Sequence, residues 1–104
     1  MDDEFAITEE TSGDEIKLYV KGRVTSLNAN ALQYKLEEAL RAGKTKMVIN
    51  MMQVAILSSS GIRVLLMFYK RAKEAGGSFF VESPSENVVN VLGMVALDEM
   101  LLKP

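Results

Sequence analysis

The chain contains no cysteine and no histidine. Without cysteine there are no disulfides and no thiol chemistry, which fits a cytoplasmic setting. Without histidine a Ser-His-Asp triad cannot be built, and without either residue neither can a zinc site of His or Cys ligands. Basic charge is in short supply. Twelve Lys and Arg stand against 14 Asp and Glu, a net charge of −2. A nucleic-acid binder normally carries a basic face, so nucleic acid is not an expected partner. No apolar run approaches the ~20 residues that a membrane helix needs, so no membrane insertion is expected. The opening residues, Met1 to Glu10, are acidic rather than basic and do not read as a signal peptide. No phosphate-cradling GxGxxG or GxxxxGK[ST] motif occurs, so any nucleotide chemistry must come from a partner. The acidic start reads as solvated carboxylates rather than metal ligands. No catalytic residue, metal or cofactor is expected.

What is present is the composition of one globular α/β domain over residues 1–104, with 48% hydrophobic and 25% charged residues. Residues 5–11 and 15–22 read as two strands around a turn at Ser12-Gly13-Asp14. In the second, Ile16, Leu18 and Val20 alternate with Lys17, Tyr19 and Lys21, the period of a half-buried antiparallel strand. A helix follows over 28–42, with Leu32, Leu36, Ala39 and Leu40 on one face. Ser26 or Asn28 can cap it, and Gly43 sits where a helix-ending glycine belongs. Met47 to Asn50 is a short strand, and Val54 to Leu57 a second apolar run. A helix over 59–75 should turn Ile62, Leu65, Leu66, Tyr69 and Ala72 inward and end at Gly76-Gly77. A strand is centred on Phe79 to Val81, a helix spans 85–93, and a last helical turn lies near 97–102. The order β-β-α-β-α-β-α predicts a small mixed sheet flanked by helices: parallel where strands alternate with helices, antiparallel at the opening hairpin.

The most informative stretch is AILSSSGIRVLLMFYKRAKEAGG, residues 55–77. An apolar strand ends in three serines and a glycine, and a long helix begins there. A helix N-terminus exposes unpaired backbone N–H groups and the positive end of the dipole, which stabilise a phosphate. A serine hydroxyl on such a turn is also within a kinase's reach. The plainer reading is that serines cap helices by accepting those N–H groups. One cap, however, accounts for one serine and not for three.

The same segment, with NMMQVAILSSSGIRVLLMFYKRAKEAGG written in full, resembles the signature of the STAS domain, DLSxVxxIDSSGLGxLLxxxKxAxxxGG. VKGRVTSLNANALQYKLEEAL and VVNVLGMVALDEML resemble two further landmarks of that family, in order and with spacing preserved over about residues 5–102. The resemblance is to the anti-sigma factor antagonist (anti-anti-sigma factor) type. It implies a bacterial partner-switching protein that is not an enzyme. Such a protein binds an anti-sigma factor that is also a serine kinase, is released by serine phosphorylation and is restored by a serine phosphatase. Aligned on SSG, the phosphorylated serine falls on Ser59, with Ser60 as second choice. Three positions that are acidic in the family are neutral here, Ser58, Thr25 and Asn50, which makes the region of the switch less negative than usual.

Helix 59–75 is apolar nearly all round: between Ile62 and Tyr69 only Arg63 is charged. Val64, Met67 and Phe68 lie off the expected inner face. They are either core or a sticky outer face, and Met51, Met52 and Met67 can be read in the same two ways. In a domain this small a helix on a sheet usually keeps one side wet. The expected partner surface is therefore Thr25, Asn28, Ser58, Ser59, Ser60, Gly61, Val64, Met67 and Phe68. Two alternatives stand beside this. One is a STAS scaffold or accessory module that is never phosphorylated, in a stressosome-like or transporter-associated complex. The other is a serine enzyme, which in the absence of histidine would need Lys or Asp as its base.

Overall fold

The computed structural model describes residues 4–103. Its elements run β1 (Ala6–Ser12), β2 (Glu15–Val24), α1 (Ala29–Arg41), β3 (Lys46–Leu57), α2 (Ser59–Glu74), β4 (Ser78–Glu82), α3 (Glu86–Met94) and α4 (Asp98–Leu101). The strands form one sheet in the order β1-β2-β3-β4, antiparallel between β1 and β2 and parallel for the other two pairs. This is the mixed sheet expected from the alternation of strands and helices.

The sheet has one buried face and one wet face. Along β2, Ile16, Leu18, Val20 and Val24 are buried, while Lys17, Tyr19, Lys21 and Arg23 are half-buried or exposed. The buried face joins Leu32 and Leu36 of α1, Leu65 and Phe68 of α2, Leu92 of α3 and Leu101 of α4 in one apolar core. Helices of moderate length gain most of their stability from such a face rather than from intrinsic propensity.

β3 departs from the sequence reading. Met47 to Asn50 and Val54 to Leu57 are parts of one strand. Between the pair Tyr19↔Asn50 and the pair Val24↔Leu57, β3 runs two residues longer than β2, and the register breaks twice to absorb them. Each bulge shifts the inward-outward alternation by one position. That is why Met52 and Gln53 are exposed in succession after Met47, Ile49 and Met51 are buried in step, why burial resumes at Val54 and then at Leu57, and why the period-two pattern fades in the sequence. Asn50 organises the first bulge. Its Oδ1 accepts the Met52 N–H at 3.1 Å, and its amide donates to Glu82 at 3.1 Å. Asn50 therefore sits on the wet face of the sheet between β2 and β4, not beside the serine turn.

β4 pairs only with Lys46 to Asn50, which leaves the upper edge of β3 without a strand partner. The entry to α3 covers that edge. Ser85 N–H donates to the Met51 carbonyl at 3.1 Å, Ser85 Oγ to the Val54 carbonyl at 2.7 Å, and Asn87 Nδ2 to the Ala55 carbonyl at 2.6 Å. An exposed strand edge invites aggregation, and side-chain capping of its carbonyls blunts it. Ser85 Oγ also accepts the Val88 N–H and so caps α3.

Gly76-Gly77 ends α2 for two different reasons. Gly76 has φ +83°, a left-handed conformation that other residues adopt at a cost. Gly77 has no room for a side chain, because a Cβ there would run into the Thr45 backbone, whose carbonyl accepts the Ser78 N–H at 3.0 Å. Gly76→Ala is expected to lose about 1–2 kcal/mol. Gly77→Ala should lose more, about 3 kcal/mol, because backbone rather than a flexible side-chain end must move. Chemical denaturation of the two variants checks the order, and a smaller loss for Gly77→Ala contradicts the close approach.

Glu82 is the ionic centre of the wet face. The Asn50 amide and then the Lys17 ammonium, at 3.0 Å, hold its carboxyl below its ordinary value. A lowered carboxylate pKa contributes stability that is complete above the unfolded value and is lost as pH falls through the folded one. Melting temperature should therefore fall on acidification below about pH 4.3, and fall less steeply in Glu82→Gln. Parallel pH profiles for the two proteins would refute this role.

Candidate functional site

β2 and β3 end side by side, Val24 opposite Leu57, and both chains then turn into helices. The two turns are joined by the Ser58 N–H, which donates to the Val24 carbonyl at 2.9 Å. The first turn is held by its own side chains. Thr25 Oγ1 accepts the Asn28 N–H at 3.2 Å, the Thr25 carbonyl accepts the Ala29 N–H at 2.9 Å, and Asn28 Nδ2 donates to the Arg23 carbonyl at 2.7 Å. Neither Ser26 nor Asn28 places a side chain on the α1 N-terminus, and Thr25 does the nearest equivalent work.

In the second turn the three serines have separate roles. Ser58 is the N-cap: its Oγ accepts the Gly61 N–H at 3.2 Å, as a helix start requires. Ser59 begins α2 and is exposed, and its hydroxyl makes no hydrogen bond among the described residues. Ser60 is half-buried. Gly61 is buried, and a Cβ there would come within 2.7 Å of Leu57 Cδ1 and 2.8 Å of Val24 Cγ1. The glycine is thus required so that α2 can start directly over the last rung of the ladder.

The structure brings Thr25, Asn28, Ser58, Ser59 and Ser60 to one end of the sheet, where the parallel strands finish. It removes three residues from the expected partner surface. Gly61 is packed under Val24 and Leu57. Val64 is 4% exposed and Phe68 fully buried, so both are core. The inner face of α2 is Gly61, Val64, Leu65, Phe68 and Ala72, rolled away from the expected one, and Ile62, Leu66 and Tyr69 are only half-buried. Phe68 fixes this rotation: Arg71 lies 4.9 Å over its ring and pairs with Glu37 of α1 at 3.0 Å. Met67 is half-buried and packs against the margin of the core. The three methionines do not form one cluster: Met51 is in the core, and Met52 is on the wet strand face.

Two apolar side chains near the serine turn were not singled out from the sequence. Leu27, between the two held ends of the first turn, is 83% exposed, and Ile56, opposite Arg23, is 43% exposed. A leucine flanked by Ser26 and Asn28 in a strand-to-helix connection was the available signal. No carboxylate lies in Thr25–Asn28 or Ser58–Arg63, whereas Arg23 and Arg63 flank them. The site is therefore a partly apolar surface with positive edges and a free hydroxyl at a helix start. No helix among the described residues is long and apolar enough to cross a membrane.

A family described as "Mlab, STAS domain" matches residues 7–103. Solved structures share the fold. The unphosphorylated anti-sigma factor antagonist SpoIIAA superposes with a TM-score of 0.83 at 19% identity, covering 95% of this chain and 88% of that one. The phosphorylated form of the Bacillus protein SpoIIAA gives a TM-score of 0.75 at 17% identity, over 95% and 91% of the two chains. An anti-sigma factor antagonist from Mycobacterium paratuberculosis gives 0.84 at 21% identity, over 98% and 87%.

The division of labour among the serines predicts unequal effects on stability. Ser58→Ala should lose about 1 kcal/mol through the cap. Ser59→Ala should change stability by less than about 0.5 kcal/mol. Denaturant midpoints of the two variants test this, and equal losses would mean that the cap is shared.

Proposed function

Because the chain belongs to the STAS domain family, we propose that it is an anti-sigma factor antagonist in bacterial transcription control. In this reading it acts in the cytoplasm by binding and not by catalysis. Its partner is an anti-sigma factor that is also a serine kinase. Phosphorylation of Ser59 releases that partner, and a serine phosphatase reverses the change.

The observation that carries this reading is the state of Ser59. Its hydroxyl is exposed and free, while Ser58 does the capping and Gly61 does the packing. A phosphate at the first position of a helix is stabilised by the dipole and the free N–H groups, so the modification leaves the fold intact. Its effect falls on the surface. It adds about −1.5 to −2 charges and strong acceptors where a neutral hydroxyl met the partner. The partner would then have to desolvate a dianion with no place prepared for it.

A second reading is favoured by the absence of any carboxylate in the turn residues. Here the chain is a STAS scaffold or accessory module that is never phosphorylated. Incubation with the cognate anti-sigma factor kinase and ATP, followed by intact mass, separates the two. The proposal expects one added phosphate on the wild type, none on Ser59→Ala, and loss of binding in Ser59→Asp. If the wild type gains no phosphate and Ser59→Asp binds its partner as tightly as wild type, the scaffold reading replaces it.

A further inference from the structure

The solvent face of α2 is basic in a chain whose net charge is negative. At about 100° per residue, Ser59, Arg63, Leu66, Lys70 and, at the far end, Glu74 fall on one arc of the helix opposite its buried side, with Met67 on the flank of that arc. The helix carries four cations, Arg63, Lys70, Arg71 and Lys73, against the single anion Glu74. Arg71 is engaged by Glu37 and Phe68, and Lys73 by the Tyr69 hydroxyl. Arg63 and Lys70 make no ion pair among the described residues, which leaves both free to meet another molecule. Between them Leu66 and Met67 are half-buried and line a shallow depression.

We propose that this stripe docks an acidic segment of the partner protein. Apolar side chains of that segment rest on Leu66 and Met67, and its carboxylates meet Arg63 and Lys70. The inference rests on the reading of the serine turn given above and adds the chemistry of the partner. Three observations converge on it. The stripe is continuous with the serine turn, since Arg63 is one helical turn from Ser59. Its two free cations bracket a partly open apolar patch, the arrangement of an interface with a greasy centre and a charged rim. The chain as a whole is acidic, so a negatively charged partner is repelled elsewhere and drawn to this face, which orients the encounter.

The same geometry says how phosphorylation would act on such a partner. Residues four apart on a helix are neighbours, so a phosphate on Ser59 lies within reach of the Arg63 guanidinium. It would occupy the cation that the partner's carboxylate needs, and its remaining charge would repel that carboxylate. One modification then both removes an attraction and adds a repulsion.

The test is titration calorimetry with the cognate anti-sigma factor at low and high salt. Wild type, Arg63→Glu, Lys70→Glu and Lys46→Glu are compared. Lys46 is an exposed cation at the opposite end of β3. Wild-type affinity should fall as salt rises. Arg63→Glu and Lys70→Glu should each weaken binding about tenfold or more, with melting temperatures close to wild type. Lys46→Glu should stay within about twofold, as a charge change outside the contact does. If the anti-sigma factor binds wild type and both α2 reversals equally, the acidic-segment inference is overturned and the proposed function stands. If it binds no form of the protein, both fall. Phosphatidylglycerol vesicles form the last arm. Binding of wild type to them that Arg63→Glu abolishes, with anti-sigma factor affinity unchanged, would assign the stripe to a membrane and overturn the inference.

Discussion

The last rung of the β2–β3 ladder governs the rest of this molecule. Val24 and Leu57 stand opposite one another, and the next N–H, that of Ser58, still reaches the Val24 carbonyl. Two strands of unequal residue count arrive level only because β3 takes up its surplus in two bulges. Without them the register would slip, and every side chain beyond the slip would change face. With them, two strand-to-helix turns emerge together, and their residues form one surface. The carboxyl ends of parallel strands are where α/β sheets usually place their sites, because there the chain turns and backbone groups become available.

α2 serves two masters through its rotation. Its inner arc is committed to packing by Gly61, which lets the helix start against Val24 and Leu57, and by Phe68, which is clamped by Arg71. Once that arc is set, the opposite one is determined by helical geometry alone. Ser59 faces outward because Gly61 faces inward, and Arg63, Leu66 and Lys70 follow it along the helix. The exposed hydroxyl and the basic stripe are thus consequences of how the core is filled.

The remaining edges of the sheet are managed without further strands. Ser85 and Asn87 satisfy the carbonyls of β3 that β4 is too short to reach. The β4 edge is met by Leu102, which bridges to Val81, and by the Lys103 N–H, which donates to the Val81 carbonyl at 2.9 Å. On the wet face, Lys17, Asn50 and Glu82 tie β2, β3 and β4 together with polar side chains.

Much of this was determined by local pattern. The strand-helix alternation, the terminating glycines and the three serines at a helix start are properties of neighbouring residues, and they were legible in the order of amino acids, whereas the α1 cap expected at Ser26 or Asn28 was not formed. The β2 alternation and the α1 stripe needed no partner to be read. What only tertiary structure decided were the questions that depend on distant neighbours. The rotation of α2 was one, because a helix apolar on most sides does not declare which arc meets the sheet; Val64 and Phe68 went inward and Leu66 stayed at the surface. The continuity of β3 was another, since bulges are defined by register with β2. Asn50 was a third: its sequence position suggested the switch, but its side chain answers to Glu82, 32 residues away in the chain. Periodicity reports that a residue is buried or exposed within its own element. Which surface does the burying is settled by packing between elements, and that information is spread over the whole chain.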